Sequence, residues 1–267
     1  MQINFGEKMD YAKEVEFIVD NMIKAFSLFS GDKKSTEMKA TFDIVTKVDK
    51  EIEEYLTEQI KKEFPTDQVL GEEFSSSTLP TRRCWTIDPI DGTFNFAYGV
   101  PLFGVQCSLI DREEMVLGVI YLPFFNKIYQ AEKGKGAYCN GEKLSVDKTA
   151  KCESAVVSIG DFSRKKQGEL AEKQHKMLKK LYQNVAKVRM FGAACFDFAF
   201  LAEGKTHGTT LITRNLWDLV PGAVITREAG GIVTDLEGKP YTVNSEGIIS
   251  ACNSEISAQM IKAYREN

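Results

Sequence analysis

Asp88 and Asp91, three residues apart in the stretch WTIDPIDGTFNF (residues 85–96), are the side chains best placed to do chemistry. Pro89 separates them, and Gly92 and Thr93 follow. The preceding residues Cys84, Trp85, Thr86 and Ile87 suit a buried strand. Pro89 lacks an N–H to donate and restricts its predecessor, so it is expected to end that strand's ladder. Two acids then emerge where a strand becomes a turn, and Gly92 lets a backbone approach a ligand closely. Such a turn can hold a hard cation beside a phosphate. Asp and Gly are also ordinary turn formers, so taken alone the segment is equally a plain turn.

Acids recur at three other places. Glu72 and Glu73 follow the short apolar run Val69–Leu70 in VLGEEF. Asp43 and Asp49 flank Thr46 in DIVTKVD. Asp218 opens an expected helix in NLWDLVPGA. Each has a purely structural explanation: a solvated strand end for the glutamates, a helix cap for Asp43 or Thr46, an N-cap for Asp218. Those explanations do not account for acids gathering at the ends of several expected strands with few basic residues nearby.

The elements that must position these acids read as α, then β, then mixed α/β. Val15, Ile18, Val19, Met22, Ile23 and Phe26 mark one face of an opening helix, and residues 31–42 read as a polar, mobile loop. A second helix, carrying Ile52, Tyr55, Leu56 and Ile60, runs from 46 to 64 and ends before Pro65. Strands are expected over 103–110, 115–122 and 128–131, and over 137–144 about the hairpin signal Asn140-Gly141. Gly134-Lys135-Gly136 lacks P-loop spacing and reads as a tight turn. Further on, strands (155–159, 185–190, 209–213, 232–234, 247–251) alternate with helices: one bearing Leu170, Met177, Leu178 and Leu181, then 193–202, 219–229 and a closing helix. The division is an α+β N-terminal part, 1–144, carrying most of the acidic motifs, and an α/β C-terminal part, 145–267, completing the site.

Composition narrows the function. The 267 residues can bury a substantial core. A formal net charge of −4 without a sustained Lys/Arg block argues against nucleic acid as partner. An acidic protein that acts on a phosphate ester needs local positive charge, which divalent cations supply. The N-terminus has no apolar leader, and no run approaches the ~20 apolar residues of a membrane span, so a soluble, cytoplasmic protein is expected. Six scattered cysteines without a CxxC pair read as small core residues in a reducing compartment. The only two histidines, His175 and His207, have no partner at ligand spacing, which argues against zinc and phosphohistidine chemistry.

In DIVTKVD (43–49), GEE (71–73), DPIDGTFNF (88–96), GKGAYCNG (134–141), FGAA (191–194) and WDLVPGA (217–223), the chain resembles the inositol monophosphatase family, part of the lithium-sensitive, magnesium-dependent sugar and nucleotide phosphatases. The motifs occur in the family's order and cover nearly the whole chain. The resemblance implies a layered α-β-α-β-α sandwich of the sugar phosphatase type, with the site between its halves, and a homodimer. It implies two or three Mg²⁺ ions, with Mn²⁺ able to substitute. Glu72, Asp88 and the Ile90 carbonyl hold one ion in that scheme; Asp88, Asp91 and Asp218 hold a second. Oxygen-only donors suit such hard cations. Thr93 and Asp49 match the family pair that orients the attacking water and relays its proton, and Glu72 assists. Asp91, with the N–H groups of Gly92 and Thr93, is placed at the phosphate. Direct transfer to water predicts inversion at phosphorus, with a covalent phosphoaspartate at Asp88 as the chemical rival.

Substrate identity is read from the same resemblance. Gly192, Ala193 and Ala194 would line the pocket for the alcohol portion. Inositol-specific members carry a ring-binding glutamate seven residues before the WD aspartate, where this chain has Leu211. Arg214, in TRNLWD, either contacts a second phosphate or is a solvated charge. The expected substrate is a small phosphomonoester, inositol monophosphate first, with NADP or fructose 1,6-bisphosphate as alternatives. A non-catalytic phosphate-binding module is the remaining possibility, against which stands the complete acid set.

Overall fold

The computed structural model describes residues 10–30, 36–40, 43–75, 79–80, 82–162 and 169–266. The extreme N-terminus, residues 31–35 and 41–42 of the expected loop, and the side chains of Asp43 and Leu170 lie outside the described set.

Helix α1 (Ala12–Phe29) buries Ile18, Met22 and Ala25, while Ile23 falls at the exposed edge of the face expected to carry it. Part of the expected loop is instead strand β1 (Thr36–Ala40), paired antiparallel with β2 (Asp43–Thr46). The polar composition that suggested a loop is compatible with a two-stranded ribbon outside the main core. Thr46 then caps α2 (Lys47–Glu63) in a capping box with Asp49, fixing where that helix begins.

Seven strands follow in the large sheet: β3 (Gln68–Gly71), β4 (Cys84–Asp91), β5 (Gly104–Asp111), β6 (Glu114–Leu122), β7 (Lys127–Glu132), β8 (Gly136–Cys139) and β9 (Glu142–Lys143). They lie in sequence order, antiparallel except for the parallel β3–β4 pair. The five-residue helix α3 (Thr93–Ala97) sits between β4 and β5. The turn joining β7 to β8 spans residues 133–135, and Gly136 opens β8.

The smaller sheet has the order β11-β10-β12-β14-β13, from β10 (Val156–Ile159), β11 (Lys187–Arg189), β12 (Gly208–Leu211), β13 (Ile232–Thr234) and β14 (Ile248–Ala251). Its helices are α4 (Glu169–Asn184), α5 (Ala194–Ala202), α6 (Leu216–Glu228) and α7 (Ser254–Arg265). Helices α1 and α2 cover one face of the large sheet, α5 and α6 fill the space between the sheets, and α4 and α7 cover the far face of the small sheet. This is the five-layer α-β-α-β-α order. A central layer must be apolar on every side, and α6 complies: Trp217, Leu219, Val220, Ala223, Val224 and Ile225 are all buried.

All six cysteines are free thiols; Cys84, Cys107, Cys195 and Cys252 are buried, Cys139 and Cys152 partly so. Among the described residues no helix is long and apolar enough to cross a membrane.

Candidate active site

Pro89 does not end its strand. β4 continues through it to Asp91, and the pairing with β5 slips: Asp88 lies opposite Gln106, whereas Asp91 lies opposite Gly104. The extra residue at Pro89–Ile90 is a β-bulge, which accommodates the missing N–H. Residues i and i+3 of a regular strand point to opposite faces. The bulge places both acids opposite residues two apart, so Asp88 and Asp91 share one side.

Asp218 meets them there. One carboxylate oxygen from each of Asp88, Asp91 and Asp218 lies within 4.8 Å of the others, although the residues come from β4 in the large sheet and from α6 in the layer between the sheets. Asn215 is the N-cap of α6, so Asp218 sits in its first turn and accepts from Asn215 Nδ2 at 3.0 Å. Burial, then the charges of Glu72, Asp91 and Asp218, hold the Asp88 carboxyl well above the usual range. Burial also raises Asp91, and burial with the Asp91 charge pushes Asp218 up to about 7. Asp88 Oδ1 is fully buried and has no hydrogen-bond partner among the described residues. Three oxygen donors, mutually repelling and one left unsatisfied, form a set that a hard divalent cation would complete.

Glu72 stands outside that trio. It follows β3, where its N–H donates to Ile87 O at 3.2 Å, and it reaches Asp88 through its charge. Asp49 is buried on α2. Its Oδ2 accepts from Thr46 N at 3.0 Å and from Thr46 Oγ1, while its Oδ1 faces Thr93 Oγ1 at 3.2 Å. Burial pushes the Asp49 carboxyl up to about 6. Thr93 Oγ1 is also 3.0 Å from Ile90 O. A hydroxyl carries a single proton, so these two contacts are alternatives.

Asp91 ties β4 to α5: Oδ1 accepts from Ala194 N at 3.1 Å and Oδ2 from Cys195 N at 2.5 Å, at the start of that helix. Gly92 is left-handed, with φ 84°, and a Cβ there would lie 2.9 Å from both Ala193 Cβ and Leu102 O. Gly192, Ala193 and Ala194 therefore border the Asp91–Gly92 turn. Arg214 is exposed and paired with Glu246. Leu211 is buried at the end of β12, against Gly160. His207 Nδ1 accepts from Val156 N at 2.9 Å, and His175 stacks on Phe162.

Three polar residues near the site were not singled out in the sequence. Asn95 Nδ2 donates to Leu102 O at 2.7 Å and to Phe191 O at 2.9 Å, bridging the 88–96 motif to the 191–194 loop. Gln106, opposite Asp88 in the ladder, is fully buried, and neither amide atom is hydrogen-bonded among the described residues. Glu53, buried on α2, accepts from Glu73 N at 2.7 Å and Phe74 N at 3.1 Å. A polar residue inside an apolar helix face or strand was the available signal: Glu53 lies between Ile52 and Leu56, Gln106 between Val105 and Cys107.

The model of the inositol monophosphatase family matches residues 8–267, and the chain belongs to that family. A fructose-1,6-bisphosphatase/inositol-1-monophosphatase of Aquifex aeolicus is 36% identical over 234 residues, 88% of each chain. A Nus factor SuhB of Pasteurella multocida is 34% identical over 224 residues, 82% of each chain. The crystal structure of the extragenic suppressor protein suhB from Bartonella henselae superposes with a TM-score of 0.85 at 27% identity, covering 96% of this chain and all of that one. Membership supports a phosphatase acting on a small phosphorylated substrate, in a metal-dependent family whose acidic cluster is present here.

Proposed function

We propose that the protein is a Mg²⁺-dependent phosphatase that hydrolyses a small phosphomonoester, inositol monophosphate first, by in-line attack of water. The observation that carries this reading is the convergence of Asp218 on Asp88 and Asp91, with Asp88 Oδ1 left unsatisfied. Glu72, Asp88, the Ile90 carbonyl, Asp91 and Asp218 would hold two or three ions, with Mn²⁺ an acceptable substitute. When bound, the ions supply positive charge to the phosphate oxygens and make water acidic enough to ionise near neutrality.

The chain's own groups do the rest. Asp49, held at its far oxygen by Thr46, keeps Thr93 Oγ1 oriented. Thr93 accepts a proton from water as it passes its own to Asp49, whose carboxyl near 6 is ionised at neutral pH and able to receive it. Glu72 assists from the end of β3. The Gly92 and Thr93 N–H groups and Asp91 position the phosphate, and Gly192, Ala193 and Ala194 border the alcohol. Transfer is direct, with inversion at phosphorus.

In this proposal residues 1–144 and 145–267 are two subdomains that share the site, and the protein is cytoplasmic, homodimeric and lithium-sensitive. A second substrate reading has its own support. Leu211 offers no hydrogen bond to a ring hydroxyl, and a site lacking such a contact discriminates weakly. The Aquifex relative is named for both fructose 1,6-bisphosphate and inositol 1-phosphate. Arg214 could leave Glu246 for a second phosphate.

Phosphate release from inositol 1-phosphate, fructose 1,6-bisphosphate and NADP, with Mg²⁺ or EDTA and with or without Li⁺, tests these readings. Release that needs Mg²⁺ and is abolished by EDTA is expected. Release indifferent to EDTA, or a phosphorylated Asp88, overturns the mechanism. No release from any substrate favours a role other than hydrolysis, as the name of the Pasteurella relative suggests for that protein.

A further inference from the structure

Glu53 is nearly inaccessible to solvent, at 2% exposure, yet it lies on the face of α2 that also carries Asp49 one turn earlier. Its two oxygens accept from two successive backbone groups, Glu73 N (2.7 Å) and Phe74 N (3.1 Å), just after β3. Gly71, the last residue of β3, makes room for it: a Cβ at that position would lie 2.0 Å from Glu53 Oε1 and 2.2 Å from Cδ. Glu72 stands between the glycine that admits the carboxylate and the amides that the carboxylate holds.

We propose that Glu53 is a positioning residue that fixes the 72–74 turn and so sets where Glu72 presents its carboxylate to the Asp88–Asp91–Asp218 group. The inference rests on the metal-dependent reading above and extends it. Helix α2 thereby registers two parts of the site against each other. Asp49 aligns Thr93, and Glu53, four residues on, aligns Glu72. Turn geometry alone does not demand this arrangement, because an exposed turn satisfies its amides with water at little cost. A buried carboxylate recruited from another element exposes a charge to desolvation and is retained only where its hydrogen bonds offset that.

Glu53→Gln replaces one acceptor oxygen with a donor that faces an N–H, and Gly71→Ala displaces the carboxylate without altering its charge. Two measurements separate this proposal from the hydrolytic reading. In metal-free protein, amide exchange at Glu73 and Phe74 is expected to be at least about tenfold faster in either variant than in wild type, with exchange in β5 and β6 unchanged. The Mg²⁺ concentration giving half the maximal thermal shift is expected to rise about tenfold, with KM for substrate within about twofold and kcat recovering at high Mg²⁺. Exchange at both amides within about twofold of wild type overturns the proposal, as does an unchanged Mg²⁺ midpoint in a folded variant. If Glu53→Gln does not fold, Gly71→Ala decides. If wild type neither binds Mg²⁺ nor hydrolyses phosphate esters, the hydrolytic reading fails, and the role assigned to Glu53 at the metal site fails with it. The exchange result then still reports whether Glu53 holds the turn.

Discussion

Replacing Asp218 by Asn should make the metal-free protein more stable and the metal-loaded protein less so. The Asp218 carboxyl is pushed from its ordinary value of 3.8 up to about 7, by burial and then by the Asp91 charge. At about 1.36 kcal/mol per pH unit, keeping that group ionised above neutrality costs the folded state about 4 kcal/mol. Asp218 is only half-buried and its ionisation is linked to that of the neighbouring acids, so about half that figure, ~2 kcal/mol, is expected. The folded-state value lies above the unfolded one, so the native protein holds an extra proton between roughly pH 4 and 7. Stability therefore rises as pH falls through that window and is lowest above it. For a chain of this size ~2 kcal/mol corresponds to about 4–8 °C in Tm. In EDTA near pH 8, Asp218→Asn should melt higher than wild type by that amount, with the gap closing by about pH 4. With Mg²⁺ the order should reverse. Wild type gains about 2.7 kcal/mol at a hundredfold excess over Kd, whereas the variant, lacking a ligand, gains little. Thermal melts at two pH values, each with EDTA and with Mg²⁺, read all of this. A variant that melts no higher than wild type in EDTA at high pH, or gains as much from Mg²⁺, would falsify the account of the acid group as a repulsive cation site.

Thr93→Ala should lower kcat by about 10²–10⁴ while leaving KM and the Mg²⁺-induced thermal shift near wild type, because Thr93 acts on the proton and Asp49 keeps its Thr46 contacts; a loss confined to KM would contradict that role. In wild type, kcat should fall as pH drops through about 6, where Asp49 becomes protonated and can no longer receive a proton. A profile flat from pH 5 to 8 excludes Asp49 as the acceptor. Gly92→Ala forces a side chain into a left-handed position that is also crowded by Ala193 and Leu102. A loss of about 1–3 kcal/mol in denaturant melts is expected, with lowered activity, and a neutral result would mean that the turn is freer than its packing suggests.

Local signals carried much of the architecture. Thr46 and Asp49 announce the start of α2 because a capping box is written within four consecutive residues. Asn140-Gly141 locates the β8–β9 turn for the same reason. The acids of the site were legible by type, but their convergence depends on α6 crossing between the sheets, which no local window contains. Pro89 misled because its effect was absorbed by the bulge, a feature of the pairing between β4 and β5 rather than of either strand. β1 was missed because its pairing with β2 outweighs a composition typical of loops. Asn95 and Glu53 were overlooked because their partners lie far along the chain: Phe191 for the one, Glu73 and Phe74 for the other.

The grip of Asp91 on the first turn of α5 bears on how a silent descendant of such a protein would look. A copy that stopped turning over substrate would still need that carboxylate to fasten α5, since Ala194 N and Cys195 N would otherwise lose their acceptor. Its persistence would therefore be poor testimony of activity. Among the described residues Asp88 and Asp218 accept from no backbone amide; the Asp218 charge bears on Asp88 and the Asp91 charge on Asp218, so substitution would relieve the group. Their joint survival is the better mark of a working catalyst.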